Sequence, residues 1–275
     1  LVLFKLMNKI KAKFIMYYHN DPLSMSGSKS VGERKNILEK VDKLVFISVW
    51  VKNQFFKGLN EKFPNKIEVI YHSIEKRNKV VKSNNITFVG KLNYSKGYDI
   101  FKDAVTKILD TFPKWKAFSL GDEDRRKIYI NHPRHKELGF INHKKTLNIL
   151  NRSEIAVVPS RWEEPFGRTS LESTSRGCAT IISNRGGLKE TTNSAIILKN
   201  LNSNELYNEL KKLITNNKKR KFLQSLGRKK IPHLINENYK LIDQIRESCV
   251  PLYNVNLIKK KLKIINLYNQ GQKLN

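Results

Sequence analysis

The chain has 275 residues, which is enough for about two domains, and its 39% hydrophobic content is typical of a globular protein. No apolar run reaches the roughly 18–20 residues that cross a bilayer, and the lysine-interrupted N-terminal segment lacks a signal-peptide cleavage site. The two cysteines, Cys178 and Cys249, exclude a disulfide framework and a cysteine-rich metal site, so a reducing cytoplasm is expected. The first residue is Leu1, which leads us to expect a fragment.

The charge is strongly basic, with 53 Lys and Arg against 24 Asp and Glu, a net charge of +29. Such a charge attracts polyanions, among them anionic lipid surfaces and phosphorylated substrates. Two explanations stay open: a compositional bias, since Lys, Asn and Ile are abundant together, and a basic surface that faces a membrane. The chain has no zinc-ligand spacing, RNA-binding aromatic signature or helix-turn-helix pattern, so nucleic acid is not an expected partner.

The first part of the chain alternates short apolar runs with amphipathic stretches. A helix is predicted over Ser30–Val41, where Ser30 and Glu33 have the spacing of a capping box. Strands and a second helix surround it: strands at 13–19, 43–48 and 66–73, and the helix at 49–59. A polar, basic linker is predicted over Ile74–Asn85.

After the linker the alternation restarts. Residues 97–112 carry apolar side chains at helical spacing, from Ile100 to Leu109. Strands are predicted at 86–92, 115–121, 135–141, 155–160, 178–184 and 195–199. Further helices are predicted at 143–153, from about Thr169, and over 203–248.

This order predicts an α/β fold, because strands that alternate with helices form parallel sheets with right-handed crossovers. Residues 1–80 are interpreted as the last portion of one domain, since about three strands are fewer than a doubly wound sheet needs. Residues 81–250 are interpreted as a second, complete domain. Residues 251–275 form a basic tail that is interpreted as the start of a further strand or domain.

Two lysines follow the first strand of the second domain. Lys91 and Lys96 lie in a loop that ends at Gly97. In parallel α/β sheets, ligands bind beyond the carboxyl ends of the strands, where helix N-termini offer N–H groups. The pair could hold a diphosphate there, and its spacing equally fits two solvated surface lysines.

Two glutamates follow a later strand, in the segment EEPFGRTSLESTSRG. Glu164 precedes Pro165 and is biased away from helical dihedrals, whereas Glu172 is predicted one turn into a helix that starts after Gly167. An anion-binding helix start would then separate the two carboxylates. The alternative is that Glu164 is solvated and Glu172 only favours the helix N-terminus through its charge.

Several segments together resemble a known family. They are FVGKLNYSKG, Gly121 after FSL, LGFI, and above all VVPSRWEEPFGRTSLESTSRGCATIISNRGG, which carries an E-x7-E signature. These motifs resemble the retaining glycosyltransferases of group 1, also called family 4, over roughly residues 14–215. The resemblance implies the GT-B architecture of two Rossmann-like domains, of which the N-terminal one is incomplete here.

The resemblance also implies roles for individual residues. Glu164 would hold the donor sugar and act in catalysis together with His19, and Glu172 would hold the ribose. Lys91 and Lys96 would hold the diphosphate, although the family more often has arginine at the first of these positions. The remaining donor-binding residues would be Phe140 and Ile141 at the base, Phe166, Gly167 and Arg168 at the sugar, and Thr169 and Ser170 at the diphosphate.

The implied activity is transfer of a sugar from a nucleoside-diphosphate sugar to a glycan or lipid-linked acceptor, in cell-surface polysaccharide or lipopolysaccharide synthesis. No metal is expected, since no Asp-x-Asp motif stands in a suitable loop, and no other cofactor is implied. An anionic membrane surface is a further expected partner, with the protein in the cytoplasm at the inner face of the membrane. The alternatives are a nucleotide-sugar epimerase on the same fold and a non-catalytic nucleotide-sugar-binding fragment.

Overall fold

A computed structural model describes residues 12–60, 65–75, 80–125, 128–229 and 235–249. The strands are β1 (Ile15–Tyr18), β2 (Lys43–Phe46), β3 (Ile67–Val69), β4 (Ser83–Val89), β5 (Lys116–Leu120), β6 (His135–Glu137), β7 (Ser153–Val158), β8 (Ala179–Ile182) and β9 (Ile196–Ile197). The helices are α1 (Val31–Lys40), α2 (Val49–Phe56), α3 (Tyr98–Thr111), α4 (His143–Arg152), α5 (Arg168–Ser175), α6 (Ser203–Thr215), α7 (Asn217–Lys229) and α8 (Ile235–Cys249). A 3-10 helix spans Gly186–Thr191.

The strands form two parallel sheets, which confirms the predicted α/β class. In the described residues, the first sheet has the order β1-β2-β3 and the second has the order β6-β5-β4-β7-β8-β9. In the second sheet the order reverses beside β4, because the chain leaves β4 for β5 and later returns to place β7 on its other side. Such a reversal opens a crevice at the carboxyl ends of the strands.

Local sequence explains the predicted helices that the structure confirms. Ser30 and Glu33 form the capping box at the start of α1, with the Ser30 Oγ accepting from Glu33 N and a Glu33 carboxylate oxygen accepting from Ser30 N. The apolar stripe of α3 is buried in the core of the second sheet, including Phe101, Val105 and Leu109.

The predicted linker was too long. Strand β4 begins at Ser83, inside the stretch 74–85 that its polar composition assigned to a linker. Lys82 explains the difference, because its half-buried Nζ lies 2.7–3.4 Å from four carbonyl oxygens, those of Leu150, Asn151, Ser153 and Arg176, and its three N–H groups donate to them. The charge therefore stabilises carbonyl groups at the ends of α4 and α5, as expected for a cation at helix C-termini.

The two sheets contact each other through α2 and the loop that precedes α5. Ser48 Oγ donates to the Pro165 carbonyl at 2.6 Å, and Phe166 packs in the core of the first sheet. Helix α8 returns to the first sheet, where Ile245 packs against Val45 and Ile70. These contacts hold the carboxyl ends of both sheets around one crevice.

In the part of the chain that the structure describes, no helix combines the length and the apolar character that crossing a membrane requires. The tail predicted at 251–275 lies outside the described residues.

Glu190 connects the 3-10 helix to the start of α2. Its carboxylate accepts from the N–H groups of Val49 at 2.7 Å and Trp50 at 2.8 Å, so a residue of the 3-10 helix after β8 binds the start of α2 beside the first sheet. We expect Glu190→Ala to destabilise this junction by about 1 kcal/mol, the usual effect of losing a carboxylate that accepts from the first N–H groups of a helix. Amide hydrogen exchange at Val49 and Trp50 should accelerate, and the exposed Glu68 provides the control Glu68→Gln. Unchanged exchange in Glu190→Ala would contradict the capping role.

Candidate functional site

A cleft of about 320 Å³ lies where the carboxyl ends of the two sheets meet. From the first sheet side it is lined by His19, Asn20, Ile47 and His72. From the second it is lined by Phe88, Val89, Gly90, Lys96, Val158, Ser160, Glu164, Pro165, Phe166, Gly167, Arg168 and Thr169. The structure thus brings together seven of the residues that the sequence singled out, from both predicted domains.

The loop between β7 and α5 is fixed by close backbone packing. Gly167 has φ +101°, and a Cβ on it would lie 2.4 Å from Leu188 Cδ2, so a larger residue would push the loop away from the 3-10 helix. The Gly187 N–H donates to the Glu164 carbonyl at 2.7 Å, and the Gly186 N–H donates to the Glu163 carboxylate. These contacts hold the Glu164 side chain toward the cleft.

Helix α5 begins at Arg168, as predicted, and its N-cap is Gly167, which has no side chain to occupy the first N–H groups. Arg168 and Thr169 line the cleft, so the partial positive charge of the helix start faces it. Ser170 lies deeper: it is fully buried, its N–H donates to the Gly167 carbonyl at 3.0 Å, and its hydroxyl contacts that of Thr191.

Lys96 and Glu164 form an ion pair across the cleft. Lys96 Nζ lies 2.6 Å from Glu164 Oε1, and the side chains are only 31% and 14% exposed. Gly97 allows this approach, because it has φ +69° and a Cβ on it would lie 1.9 Å from the Pro159 carbonyl oxygen. A ligand with both a phosphate and sugar hydroxyls could bind these two groups at once.

Lys91 directly follows Gly90, which lines the cleft. It lines an adjoining cavity of about 260 Å³ together with Phe140 and Ile141, and this cavity shares Val89 and Gly90 with the cleft. Phe140 is 82% exposed, so its ring is available to a flat ligand group. The predicted base-binding residues and the predicted phosphate-binding lysines therefore line one continuous path.

Glu172 lies one turn into α5, as predicted, and faces the start of α4. Its Oε1 lies 3.0 Å from His143 Nε2 and 3.2 Å from Arg168 Nη2, and its side chain is 11% exposed. Sequence reasoning missed His143. The available signal was its place at the first position of a helix that starts at the same sheet edge as the other site residues.

A second missed residue is His72, which follows β3 and lines the cleft. Its ring lies 5.6 Å from that of His19 and 5.5 Å from that of Phe166. Burial lowers the pKa of His72 to about 4, with a further contribution from the charge of Arg168. Partial burial also lowers the pKa of His19, so both imidazoles are neutral at neutral pH.

The lowered pKa of His72 predicts how the free energy of unfolding depends on pH. Its pKa in the folded protein, about 4, lies below the ordinary value of 6.5, so the unfolded state binds more protons between these two pH values. The free energy of unfolding therefore falls as the pH drops from 6.5 toward 4. We expect His72→Phe to weaken this dependence relative to the unsubstituted protein, as measured by urea unfolding at a series of pH values. Parallel pH curves for the two proteins would contradict the prediction.

Comparison with curated proteins finds partial relatives. The chain is 29% identical over 232 residues to an uncharacterised glycosyltransferase of Methanocaldococcus jannaschii, covering 81% of this chain and 64% of that protein. It is 32% identical over 112 residues to glycogen synthase of Mycobacterium tuberculosis, covering 38% of this chain and 27% of that protein. The chain therefore spans less than two thirds of the length of these relatives.

Comparison with solved structures supports the fold. The Anabaena protein HepE, solved in complex with UDP and glucose, superimposes with a TM-score of 0.70 at 17% identity, covering 86% of this chain and 72% of that one. Sucrose-phosphate synthase from Thermosynechococcus elongatus superimposes with a TM-score of 0.71, also at 17% identity, covering 90% of this chain and 70% of that one. The predicted GT-B architecture is thereby confirmed.

The sequence family is equally clear. The family model described as glycosyl transferases group 1 matches residues 71–230, more than half of the chain. This range contains both glutamates of the E-x7-E segment and both lysines that follow β4. The chain belongs to group 1 of the glycosyl transferases.

Proposed function

We propose that the protein transfers a sugar, with retention of its anomeric configuration, from a nucleoside-diphosphate sugar to a glycan or lipid-linked acceptor. The observation that carries this proposal is the meeting of Lys96, Glu164 and the uncapped start of α5 in one cleft. Cations and helix N–H groups suit a diphosphate, and a carboxylate beside them suits sugar hydroxyls.

The nucleotide would lie along the cleft, its adjoining cavity and the neighbouring pocket that Glu172 lines together with His143 and Arg168. The base would pack against Phe140 and Ile141, the ribose hydroxyls would donate to Glu172, and the diphosphate would lie at Lys91, Lys96 and the start of α5. The donor sugar would then contact Glu164 and the backbone of Phe166–Arg168. The diphosphate is the charged part of the donor, and it would lie against the two lysines and the partial positive charge of the helix start.

The chemistry is the cleavage of the bond between the sugar C1 and the diphosphate oxygen. The acceptor hydroxyl forms the new bond to C1, and its proton passes to the leaving phosphate, which attack from the same face allows. Negative charge grows on the diphosphate in the transition state, so donors already in position lower the barrier, by roughly 3 kcal/mol for a single such group. His19, which lines the cleft and is neutral at neutral pH, would form hydrogen bonds with the hydroxyls of the reacting sugars.

Two observations bear on the acceptor and on where in the cell the protein acts. One relative, 29% identical over 173 residues, is an uncharacterised protein in the cps region of Klebsiella pneumoniae. This context and the net charge of +29 support a role in cell-surface polysaccharide or lipopolysaccharide synthesis, in the cytoplasm at the anionic inner face of the membrane.

The test is turnover with a panel of UDP-, GDP- and ADP-sugars, with and without glycan and lipid-linked acceptors. The proposal expects release of the nucleoside diphosphate that increases when an acceptor is present. Conversion of the donor sugar without any acceptor would instead favour an epimerase. Donor binding without turnover would favour a non-catalytic nucleotide-sugar-binding fragment.

A further inference from the structure

Four aromatic rings form a row from the first sheet to the glutamate-bearing loop of the second. Tyr17 stacks on His19, with ring centroids 4.5 Å apart and an angle of 14° between the planes. His19 in turn stacks on His72, at 5.6 Å and 26°. His72 meets Phe166 edge to face, at 5.5 Å and 60°. His72 thus lies between the His19 ring, just after β1, and the Phe166 ring, in the loop that carries Glu164.

The His19 ring needs this support because of its position. His19 follows the last residue of β1 and is exposed, so the strand no longer fixes its side chain. The Tyr17 ring provides one ring contact to His19, and the Tyr17 hydroxyl donates a hydrogen bond to the Ile70 carbonyl. His72 provides the second ring contact. Without it, the imidazole would lose the packing that restricts it to one orientation in the cleft.

The far side of His72 is anchored more firmly. Phe166 is 1% exposed and belongs to the core of the first sheet, although it lies in the loop before α5. Tyr71, the neighbour of His72 in the chain, also packs on the Phe166 ring at 5.8 Å. The ring at position 72 therefore contacts both the buried Phe166 and the exposed imidazole of His19, and so fixes the imidazole relative to the core.

The charges around His72 are compatible with stacking. Arg168 faces it from α5, and His19 faces it from the end of β1. Burial and the charge of Arg168 disfavour a proton on His72, so the ring stays neutral and does not repel a proton on His19. The contact with His19 is therefore one of packing between rings, which an uncharged aromatic side chain could replace.

We propose that His72 is a positioning residue, which holds the His19 imidazole in its orientation at the cleft by packing it against Phe166. This inference rests on the proposed function in assigning His19 a role at the reacting sugars. It adds a residue that no motif indicated, and it explains why the segment after β3 carries an imidazole that lines the cleft.

The experiment uses the full chain with His72→Ala, His72→Phe and His19→Ala, and the double variant of His72→Ala and His19→Ala. We expect His72→Ala to lower kcat about tenfold or more, because small misplacements of a reacting group have large effects, while the KM for the donor stays nearly unchanged. His72→Phe should retain most of the activity. In the His19→Ala background, His72→Ala should have no further effect.

A second measurement does not depend on turnover. NMR titration of the His19 imidazole protons should show that its pKa rises toward the ordinary value of 6.5 in His72→Ala and stays lowered in His72→Phe. If these shifts occur but the unsubstituted chain has no activity with any donor, the proposed function fails and the positioning contact stands.

Two results would overturn the inference. One is a His19 resonance that is the same in all His72 variants. The other is an equal loss of kcat from His72→Ala with and without the His19 side chain, which would give His72 a role of its own.

Discussion

Replacing Lys96 with alanine is expected to lower nucleotide release about a hundredfold or more. The ammonium group lies 2.6 Å from Glu164, and Lys96 lines the same cleft as the start of α5. In the proposed reaction it faces the diphosphate, where negative charge grows, and removing one such group typically costs about 3 kcal/mol of transition-state stabilisation. The substitution also leaves the half-buried carboxylate of Glu164 without the cation that it contacts.

Steady-state kinetics with the donor selected by the panel measure this effect. Lys107→Ala is the matched control, since Lys107 is an exposed lysine on α3, the helix that follows the Lys96 loop. The control should keep full activity. We further expect Lys96→Ala to lower kcat more than it raises KM, because the charge on the leaving group develops in the transition state. Activity of Lys96→Ala within twofold of the unsubstituted protein would remove Lys96 from the site.

The second large effect is expected at Glu172. Its carboxylate is 11% exposed and is held by His143 and Arg168, which leaves it fixed at the start of α4. Hydrogen bonds to a charged group contribute about 1.5–3 kcal/mol, so Glu172→Ala should weaken binding of a nucleoside diphosphate by about tenfold to a hundredfold. The affinity that is lost should be the part that the ribose hydroxyls contribute.

Calorimetric titration with UDP and with 2′-deoxy-UDP, or with the corresponding pair for the base that the panel selects, distinguishes this role from a structural one. The unsubstituted protein should prefer the ribose form, and Glu172→Ala should bind both forms equally weakly. His143→Ala should reduce the preference in part, whereas Lys145→Ala, at an exposed position of the same helix, should leave it unchanged. A ribose preference that persists in Glu172→Ala would show that the hydroxyls bind elsewhere.

The fold could be predicted from sequence because its signals are local. The capping box at Ser30 and Glu33 and the apolar stripe from Ile100 to Leu109 act within one helix, so they hold in any tertiary context. The alternation of strands and helices then implies parallel sheets and places their loops at one edge. The same logic predicted that α5 begins after Gly167, with Glu164 in the loop and Glu172 on the helix.

The contacts within the site could not be predicted in the same way, because they join residues far apart in the chain. Lys96 and Glu164 are 68 positions apart and meet since β4 and β7 are neighbours in the sheet. His72 and His19 meet only across the first sheet, and the burial that lowers their pKa values has no counterpart in the sequence. From the sequence, Lys82 is one more cation of the predicted linker, because its contacts with carbonyl groups join segments far apart in the chain.

A structure of the chain with a bound nucleoside diphosphate would test the central assignment most directly. We expect the phosphates within hydrogen-bond distance of Lys96 Nζ and the N–H groups at the start of α5, the ribose hydroxyls at the Glu172 carboxylate, and the base beside Phe140 and Ile141. The ion pair between Lys96 and Glu164 should loosen as the lysine turns to the phosphate. A nucleotide bound outside this path, or no bound nucleotide even at a high nucleotide concentration, would contradict the proposed donor site.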